Sequence, residues 1–244
     1  MPSTSNFAEF YDAITDPEYR ILDFIETYFK RKKISAKTIL ELGCGTGKFS
    51  FVLSGKGLEV TAIDLNAKMV ELARQKAAKK GIPIEFKKMD MRNFAFSKKF
   101  GIVLCRDAMN WVGTENDLLK TFKCAFAALE KGGAFVFDFN TMHDYDSRNL
   151  WAGYGGHINE DVSFVWKDSS SGNGTTCDID IAFFKKQKNG LYKMEREILV
   201  EKSLPLKTVK ALLGRAGFSK IEILSQKMKK ASEKDLRVYF AARK

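Results

Sequence analysis

The chain has 244 residues, of which 45% are hydrophobic and 12% aromatic, and it carries a formal net charge of +11 at pH 7. This composition supplies a folded core and excludes a wholly disordered chain. The length fits one α/β domain with an insertion, or at most two small domains. The sequence has no run of eighteen apolar residues, and residues 1–5 lack the pattern of a signal peptide. We therefore predict neither a membrane span nor secretion.

The cysteines and the charges narrow the class of protein further. Cysteines at positions 44, 105, 124 and 177 form no CxxC pair and have no regular spacing. The sequence therefore predicts neither a metal site nor a disulfide framework, and a reducing cytoplasm is the expected compartment. The lysines are scattered mostly as short pairs, which favours a solvated surface over a nucleic-acid-binding stripe. Nucleic acid is a possible partner but not the favoured one, and the oligomeric state has no signal in the sequence.

A glycine-rich turn between two apolar runs organises the first part of the chain. Residues 39–42 are apolar apart from Glu41 and lead into GCGTG at 43–47, and a second apolar run, 60–63, ends at Asp64. This pattern predicts a strand, a glycine turn, a helix and a second parallel strand. The glycines allow the backbone to approach a ligand closely, and a carboxylate at the strand end can accept both hydroxyls of a ribose. The block therefore predicts a site for a nucleoside-containing cofactor.

The spacing of these glycines distinguishes between cofactors. A dinucleotide site favours G-x-G-x-x-G, whereas this chain has G-x-G-x-G, with Lys48 where the third glycine would stand and Glu41 two residues before the first. The block ELGCGTG resembles motif I of the class I S-adenosylmethionine-dependent methyltransferases. The resemblance implies S-adenosyl-L-methionine as the cofactor and Asp64 as the acid that binds its ribose.

The next helix and strand continue this resemblance. Asn66 is predicted to cap a helix that ends at Gly81, and residues 84–89 are predicted to form a third strand. Asp90 and Met91 follow that strand. The resemblance implies that these two residues hold the adenine, while the alternative is that Asp90 only begins a turn.

Two further strands complete the resemblance, which extends over residues 7–140. The apolar run 100–105 predicts a fourth strand, and the segment 106–111 after it resembles motif IV of the family, where the strand end lies beside the transferable methyl group. Thr114 is predicted to cap the next helix, and residues 134–139 are predicted to form the fifth strand.

Residues 7–20, FAEFYDAITDPEYR, precede these elements and are followed by a helical pattern. The segment resembles the YDxxT…Y segment of small methyltransferases, in which a tyrosine folds over the cofactor. The alternative is that the aromatic residues only pack an N-terminal helix onto the sheet.

Beyond Asn140 the pattern changes. Residues 141–160 show neither helical nor strand periodicity, and three strand-like runs joined by hairpin-type turns follow at 161–167, 176–185 and 192–202. Three antiparallel strands need a sheet of their own. We therefore predict an inserted antiparallel β cap at 141–202 and a cofactor-binding domain formed by 1–140 and 203–244.

The C-terminal part is predicted to complete the main sheet. Pro205 is expected to begin a helix that ends at Gly217, and two strands, 218–224 and 237–242, resemble the antiparallel pair that closes the family's sheet. The predicted fold is α/β: a doubly wound, Rossmann-like seven-stranded sheet with an antiparallel C-terminal hairpin and a small inserted antiparallel β-sheet.

Ligands of such sheets bind beyond the carboxyl ends of the strands, and this rule with the resemblance gives the candidate site. The predicted cofactor-binding residues are Tyr11, Tyr19, Glu41, Gly43, Cys44, Gly45, Gly47, Asp64, Leu65, Met69, Asp90, Met91, Cys105 and Arg106. The residues predicted to handle the acceptor are Tyr11, Asp107, His143 and Tyr145. His143 is either a base or orienting group, or a partly exposed loop histidine.

The leading functional prediction is transfer of a methyl group to a small-molecule acceptor, mainly by alignment for in-line displacement and without a metal. The predicted inserted sheet favours an enclosed acceptor, as in the sugar-amine N-methyltransferases that the chain resembles. The alternatives are an RNA or protein methyltransferase, a non-catalytic regulatory module that binds S-adenosylmethionine, and a nicotinamide oxidoreductase.

Overall fold

The computed structural model describes residues 5–15, 20–148 and 153–244. Within these residues the α-helices are α1 (Ser5–Ile14), α2 (Arg20–Lys32), α3 (Lys48–Gly55), α4 (Ala67–Lys80), α5 (Glu115–Ala128), α6 (Met142–Arg148) and α7 (Leu206–Arg215). The strands are β1 (Thr38–Leu42), β2 (Glu59–Asp64), β3 (Glu85–Lys88), β4 (Phe100–Cys105), β5 (Leu129–Asn140), β6 (Tyr154–Asn159), β7 (Val162–Ser170), β8 (Thr176–Lys186), β9 (Tyr192–Lys202), β10 (Ser219–Leu224) and β11 (Arg237–Arg243).

The main sheet has seven strands in the order β10-β11-β5-β4-β1-β2-β3. Strands β1 to β5 are parallel where they pair, whereas β11 runs antiparallel to both β5 and β10. The predicted α/β fold is therefore confirmed. The strand order reverses between β1 and β4, and in doubly wound sheets ligands bind at the carboxyl ends of the strands beside such a reversal.

Local sequence signals explain the helix ends around this reversal. The side chain of Asn66 accepts hydrogen bonds from the backbone N–H groups of Lys68 (2.9 Å) and Met69 (3.2 Å), so it caps α4 as predicted. Gly81 ends that helix in the left-handed conformation, with φ of 64°. Thr114 caps α5 in the same way as Asn66 caps α4.

A second, antiparallel sheet has the order β6-β7-β8-β9. The three predicted runs are three of its strands. Helix α6 and strand β6 lie within 141–160, where the sequence shows no periodicity and no element was predicted. Strand β6 is exposed or half-exposed at every position, so its sequence shows no alternation of apolar and polar residues. The short helix α6 buries Tyr145 and leaves His143 exposed.

The buried side chains form three clusters. Two lie on opposite faces of the main sheet, one beneath α5 and α7 and the other beneath α2, α3 and α4. The third joins the inserted sheet to the N-terminal helix and α6, through residues that include Phe10, Ile14, Tyr145, Phe164 and Phe183. In the described part of the chain no helix is long and apolar enough to cross a membrane.

Candidate active site

One cavity lies between the carboxyl ends of the main-sheet strands and the inner face of the inserted sheet. Its lining comes from α1, the glycine loop, the segments after β2, β4 and β5, and strands β7, β8, β9 and β11. The lining residues are Phe7, Tyr11, Thr15, Gly43, Cys44, Gly45, Asp64, Asn66, Met69, Arg106, Asp107, Ala108, Trp111, Asn140, Trp166, Ile179, Leu199, Glu201 and Arg237.

The glycine loop is packed closely on one side and faces the cavity on the other. Gly43, Gly45 and Gly47 all have positive φ, at 71°, 54° and 81°. A Cβ atom on Gly43 would lie 2.5 Å from Ala108 Cβ, and one on Gly47 would lie 2.8 Å from the Phe86 ring. A Cβ atom on Gly45 would instead have only the Tyr11 ring within 4 Å, at 3.8 Å. The loop backbone at Gly45 is therefore open to a ligand.

Asp64 ends β2 with its carboxyl group facing the cavity. The residue is 3% exposed, and its carboxyl oxygens accept hydrogen bonds from the backbone N–H groups of Gly45 and Asn66, each at 2.8 Å. Burial raises the pKa of this carboxyl group, while the two backbone hydrogen bonds act in the opposite direction. The residue thus fixes the glycine loop to the start of α4 and presents an acceptor to the cavity.

Three of the predicted cofactor-binding residues lie behind this lining. Glu41 is buried in β1 and accepts a hydrogen bond from the Ser50 hydroxyl; burial raises its pKa to about 7. Cys105 is buried within β4, and Gly47 packs against α4 and β3 instead of lining the cavity. Cys44 does line the cavity, but burial raises the pKa of its thiol well above the ordinary value, so the thiol stays protonated at neutral pH.

Leu65, Asp90 and Met91 are brought together in a smaller side pocket. That pocket shares Gly43 and Trp111 with the main cavity. The carboxylate of Asp90 is held by the guanidinium of Arg92, with Nε–Oδ1 and Nη2–Oδ2 distances of 2.9 and 2.7 Å. This contact lowers the pKa of Asp90. A ligand in the side pocket would share the Asp90 carboxylate with Arg92.

A charged network lies at the end of β4, where Asp107 has a φ of 51°. The Asp107 N–H donates to Asp138 Oδ1 at 2.7 Å, and Arg237 from β11 contacts both acids at 3.0 Å. The nearby phenol of Tyr11 has its pKa raised to about 12, first by burial and then by Asp107. Tyr11 is therefore protonated at neutral pH and can donate a hydrogen bond but cannot act as a base.

The remaining predicted residues differ in their placement. His143 is exposed on α6 and is not part of the cavity lining, whereas Tyr145 is fully buried behind the lining. The Tyr145 hydroxyl donates to Glu201 Oε2 at 3.0 Å. Met69 and Arg106 line the cavity. Tyr19 lies outside the described residues.

Sequence reasoning missed the side of the cavity that faces the inserted sheet. Its residues are Phe7, Trp111, Trp166, Ile179, Leu199, Glu201 and Arg237. Most of them lie on the inserted sheet or on β11, and their approach to the glycine loop depends on chain topology. Among the strands of the inserted sheet that line the cavity, β9 has a pattern that could have identified its inward-facing residues. There Glu197, Leu199 and Glu201 alternate with the exposed Ile198 and Val200.

The N-terminal helix is fixed over the glycine loop by Asp12. The Thr46 hydroxyl donates to Asp12 Oδ1 at 2.5 Å, and the Lys76 ammonium group contacts Oδ2. The ammonium group of Lys48 donates to the backbone oxygens of Asp12 (3.0 Å) and Thr15 (3.1 Å). These contacts hold Tyr11 above Gly45.

Comparisons with known proteins identify the family. The model of the family described as "Methyltransferase domain" matches residues 39–133. YqeM of Bacillus subtilis (strain 168), named as a methyltransferase, is 31% identical over 182 residues, which cover 74% of this chain and 72% of that protein. A crystal structure of an S-adenosylmethionine-dependent methyltransferase from Clostridium acetobutylicum ATCC 824 has a TM-score of 0.79 at 22% identity, covering 98% of this chain and 96% of that one.

A second solved structure has the same fold, including the region of the inserted sheet. It is the sugar N-methyltransferase KedS8 from Streptoalloteichus sp. ATCC 53650, with a TM-score of 0.76 at 18% identity; the match covers 97% of this chain and 92% of that one. With the glycine loop, the buried acid after β2 and the seven-stranded sheet, these similarities give one conclusion. The chain belongs to the S-adenosylmethionine-dependent methyltransferases.

Proposed function

We propose that this methyltransferase acts on a small molecule enclosed between the main sheet and the inserted sheet. One observation carries the proposal: a single cavity is lined both by the glycine loop and by side chains of the inserted sheet. The inserted sheet contributes Trp166, Ile179, Leu199 and Glu201. The fold similarity to a protein described as a sugar N-methyltransferase supports a small-molecule acceptor.

The residues present fit S-adenosylmethionine. The backbone at Gly45 is open to the cavity. The Asp64 carboxyl group also faces the cavity and can accept hydrogen bonds from ribose hydroxyls. Leu65, Asp90 and Met91 supply the side pocket, which we assign to the adenine. When bound, this cofactor supplies a methyl group made electrophilic by its sulfonium. The protein binds the cofactor and the acceptor, orients them toward each other and excludes water.

Alignment is the main catalytic contribution in this proposal. Holding reactants in near-attack geometry can supply roughly 7–11 kcal/mol of a barrier. Helix α1 covers the glycine loop, and Trp111 and Trp166 give the acceptor end of the cavity an apolar wall. Tyr11, protonated because its pKa is about 12, orients a bound group by donating a hydrogen bond.

The proposed location is the cytoplasm. Cys44, Cys105 and Cys124 are free thiols in the structure. Free thiols persist in reducing compartments, which supports this assignment.

The experiment that tests the proposal asks which kind of molecule receives the methyl group. The protein is incubated with methyl-labelled S-adenosylmethionine and, separately, with the small-molecule filtrate, the RNA and the protein fraction of a bacterial lysate. We expect label in the small-molecule fraction, and strongly reduced label with the Asp64→Ala variant when the cofactor is supplied near the wild-type Kd.

Label in RNA or protein instead would overturn the proposal. RNA retention on the purified protein provides a second measurement, because a protein that neutralises phosphates binds RNA with a steep dependence on salt. We expect no retention at physiological ionic strength.

A further inference from the structure

Arg106 is a half-buried arginine in the wall of the main cavity, directly after β4. Its guanidinium lies over the ring of Phe49, with 5.6 Å between Cζ and the ring centroid. It makes no hydrogen bond and no ion pair with the residues that the structure describes. An arginine side chain is always charged and carries several N–H donors, and burying such a group without a partner is costly. Packing alone therefore does not account for an arginine at this position.

The donors of Arg106 open into the cavity. Within residues 5–15, 20–148 and 153–244, none of its nitrogen atoms is both enclosed by protein and unpartnered. The neighbouring carboxylates of Asp107 and Asp138 are held by Arg237 instead, at 3.0 Å each. The guanidinium of Arg106 is therefore available to an anionic group of a ligand.

The order of the strands places Arg106 at one end of the cofactor site. Four neighbouring strands of the main sheet have the order β4-β1-β2-β3. The positions that follow them are, in the same order, Arg106, the glycine loop, Asp64 and Asp90. Adjacent strands lie about 4.8 Å apart, so these positions form a row roughly 14 Å long. With ribose at Asp64 and adenine at Asp90, the amino-acid end of S-adenosylmethionine falls toward the glycine loop and Arg106.

The charges of that end of the cofactor match a guanidinium at one group. The sulfonium and the α-ammonium group are cations and are repelled by Arg106, whereas the α-carboxylate is an anion. A guanidinium and a carboxylate form two parallel, charge-assisted hydrogen bonds. Phe49 lies in the first turn of α3, directly after the glycine loop, so its ring supports the guanidinium beside that loop.

We propose that Arg106 binds the α-carboxylate of S-adenosylmethionine and makes cofactor recognition depend on that carboxylate. This inference rests on the ribose and adenine assignments of the proposed function, but not on the nature of the acceptor. A ligand that keeps the adenosine, the sulfur and the amine but lacks the carboxylate should bind much more weakly.

The test compares two ligands that differ in this one group, S-adenosylhomocysteine and decarboxylated S-adenosylhomocysteine. Isothermal titration calorimetry at neutral pH gives the Kd of each without an acceptor. We expect the wild type to prefer the carboxylate ligand by about 10- to 100-fold. In Arg106→Met, which keeps an unbranched side chain against the Phe49 ring, the preference is expected to fall below about threefold. Arg106→Lys should keep an intermediate preference, because it retains the charge but loses the paired hydrogen bonds.

A matched control removes the same charge outside the cavity. Arg215 is exposed in the last turn of α7 and is not part of the cavity lining, so Arg215→Met is expected to keep the wild-type preference. Equal wild-type affinities for the two ligands would overturn the inference, and so would a preference that survives in Arg106→Met. An equal loss of affinity for both ligands in Arg106→Met would assign Arg106 a structural role and would also overturn it. If Arg106→Met does not fold, an undiminished preference in Arg106→Lys counts against the inference in the same way.

The outcome is separate from that of the proposed function. The titrations measure cofactor binding and need no turnover, whereas the proposed function is tested by where the methyl label goes. Label in small molecules without a preference for the carboxylate ligand would refute only the role of Arg106. Label in RNA or protein would refute the proposed function and leave the role of Arg106 intact.

Discussion

The Asp64 carboxyl group has two roles, because it both fixes the glycine loop and faces the cavity. Its hydrogen bonds to the N–H groups of Gly45 and Asn66 set the carboxyl orientation before any ligand arrives. A preorganised acceptor of this kind loses little freedom on binding, and its removal should therefore affect affinity more than stability.

Asp64→Ala is expected to weaken the binding of S-adenosylhomocysteine by about 1.5–3 kcal/mol, because charge-assisted hydrogen bonds to the ribose would be lost. This corresponds to roughly 10- to 150-fold in Kd. Isothermal titration calorimetry measures the change, and thermal unfolding of the variant checks that the loop remains folded. An unchanged Kd would remove Asp64 from the cofactor site.

Alanine substitutions at two glycines with the same φ distinguish the cost of backbone strain from the cost of close packing. Gly47 and Gly57 both have φ of 81°, but a Cβ atom would lie 2.8 Å from the Phe86 ring at Gly47 and would meet nothing within 4 Å at Gly57. Gly57→Ala should lower the free energy of unfolding by about 1 kcal/mol through strain alone. Gly47→Ala should cost about 1–3 kcal/mol more, because the neighbouring side chains must move.

Urea unfolding of both variants gives the two values. Equal losses in Gly47→Ala and Gly57→Ala would show that the loop can shift away from Phe86 without cost. The Gly57→Ala variant should also keep the wild-type affinity for S-adenosylhomocysteine, since Gly57 is not part of the cavity lining.

The sequence predicted the cavity lining around the glycine loop better than the lining from the inserted sheet and β11, and the reason is sequence distance. Asp64 stands 19 residues from its partner Gly45 within one strand-turn-helix-strand unit. Arg237, by contrast, contacts Asn140, Asp138 and Asp107 across 97, 99 and 130 residues. Such contacts depend on the pairing of β11 with β5, which no local pattern reveals.

At the scale of elements, α1 connects the two sheets. Asp12 ties it to Thr46 in the glycine loop and to Lys76 on α4. On the side of the inserted sheet, Phe10 lies 5.3 Å from the Phe183 ring centroid and Phe7 lies 6.4 Å from that of Trp166. Because Tyr11 lies between these contacts, loosening either set should change how tightly the cofactor is held.

Asp12→Asn should increase the Kd of S-adenosylhomocysteine several-fold and raise the amide exchange of α1. The ion pair with Lys76 is about one-third exposed, so its loss should cost only about 0.5–1 kcal/mol of stability. Calorimetry and hydrogen exchange measure the two effects. Glu71→Gln, which changes an exposed carboxylate on α4 whose contacts with Lys68 and Gln75 stay within that helix, is the control and should resemble the wild type.

The Asp12 contact should also depend on pH. Burial opposes ionisation of Asp12, but hydrogen bonds from Lys76 and Thr46 outweigh it and lower the pKa in the folded protein. The contribution to stability is therefore complete above the unfolded pKa of about 4 and is lost as pH falls through the lower folded value. Thermal unfolding should show a difference between wild type and Asp12→Asn at pH 7 that shrinks progressively as the pH falls below about 4; a constant difference would contradict this.

The strand β6, which sequence patterns missed, has no buried face. The strand β4 is buried at all six positions and was predicted with its exact bounds. The strand β6 is held by pairing with β7 and has no buried residue, so periodicity could not identify it. Its glycines also serve packing, because a Cβ atom on Gly155 would lie 2.6 Å from the Phe164 carbonyl oxygen.

The main sheet has hydrophobic clusters that are separate from the cluster beneath the inserted sheet, so we expect the main sheet to fold without the inserted one. The two clusters on the main sheet draw no residue from β6, β7, β8 or β9. Both connections to the insertion also lie close together, since the Ser203 hydroxyl donates to the Asn140 carbonyl oxygen at 2.8 Å. These two facts make the predicted boundary at 141–202 directly testable.

Deleting residues 142–202 and joining Thr141 to Ser203 through a short glycine linker should leave a cooperatively folding domain. Thr141 is kept because its hydroxyl donates to the Asp235 carbonyl oxygen at 2.7 Å, next to β11. We expect S-adenosylhomocysteine to bind more weakly, since α1 loses its packing on Phe183, and methyl transfer to the small-molecule filtrate to be lost. Calorimetry, thermal unfolding and label transfer measure these three properties.

A control for this deletion shortens only the turn at residues 187–190 between β8 and β9, which is far from the cavity lining in sequence and contributes nothing to it. That variant should keep cofactor binding and turnover. If the 142–202 deletion aggregates or unfolds without cooperativity while the control folds, the inserted sheet is part of the folding unit. If the deletion retains turnover, the acceptor does not need the inserted sheet, because the glycine loop and the ends of β4 and β5 then form the whole catalytic surface.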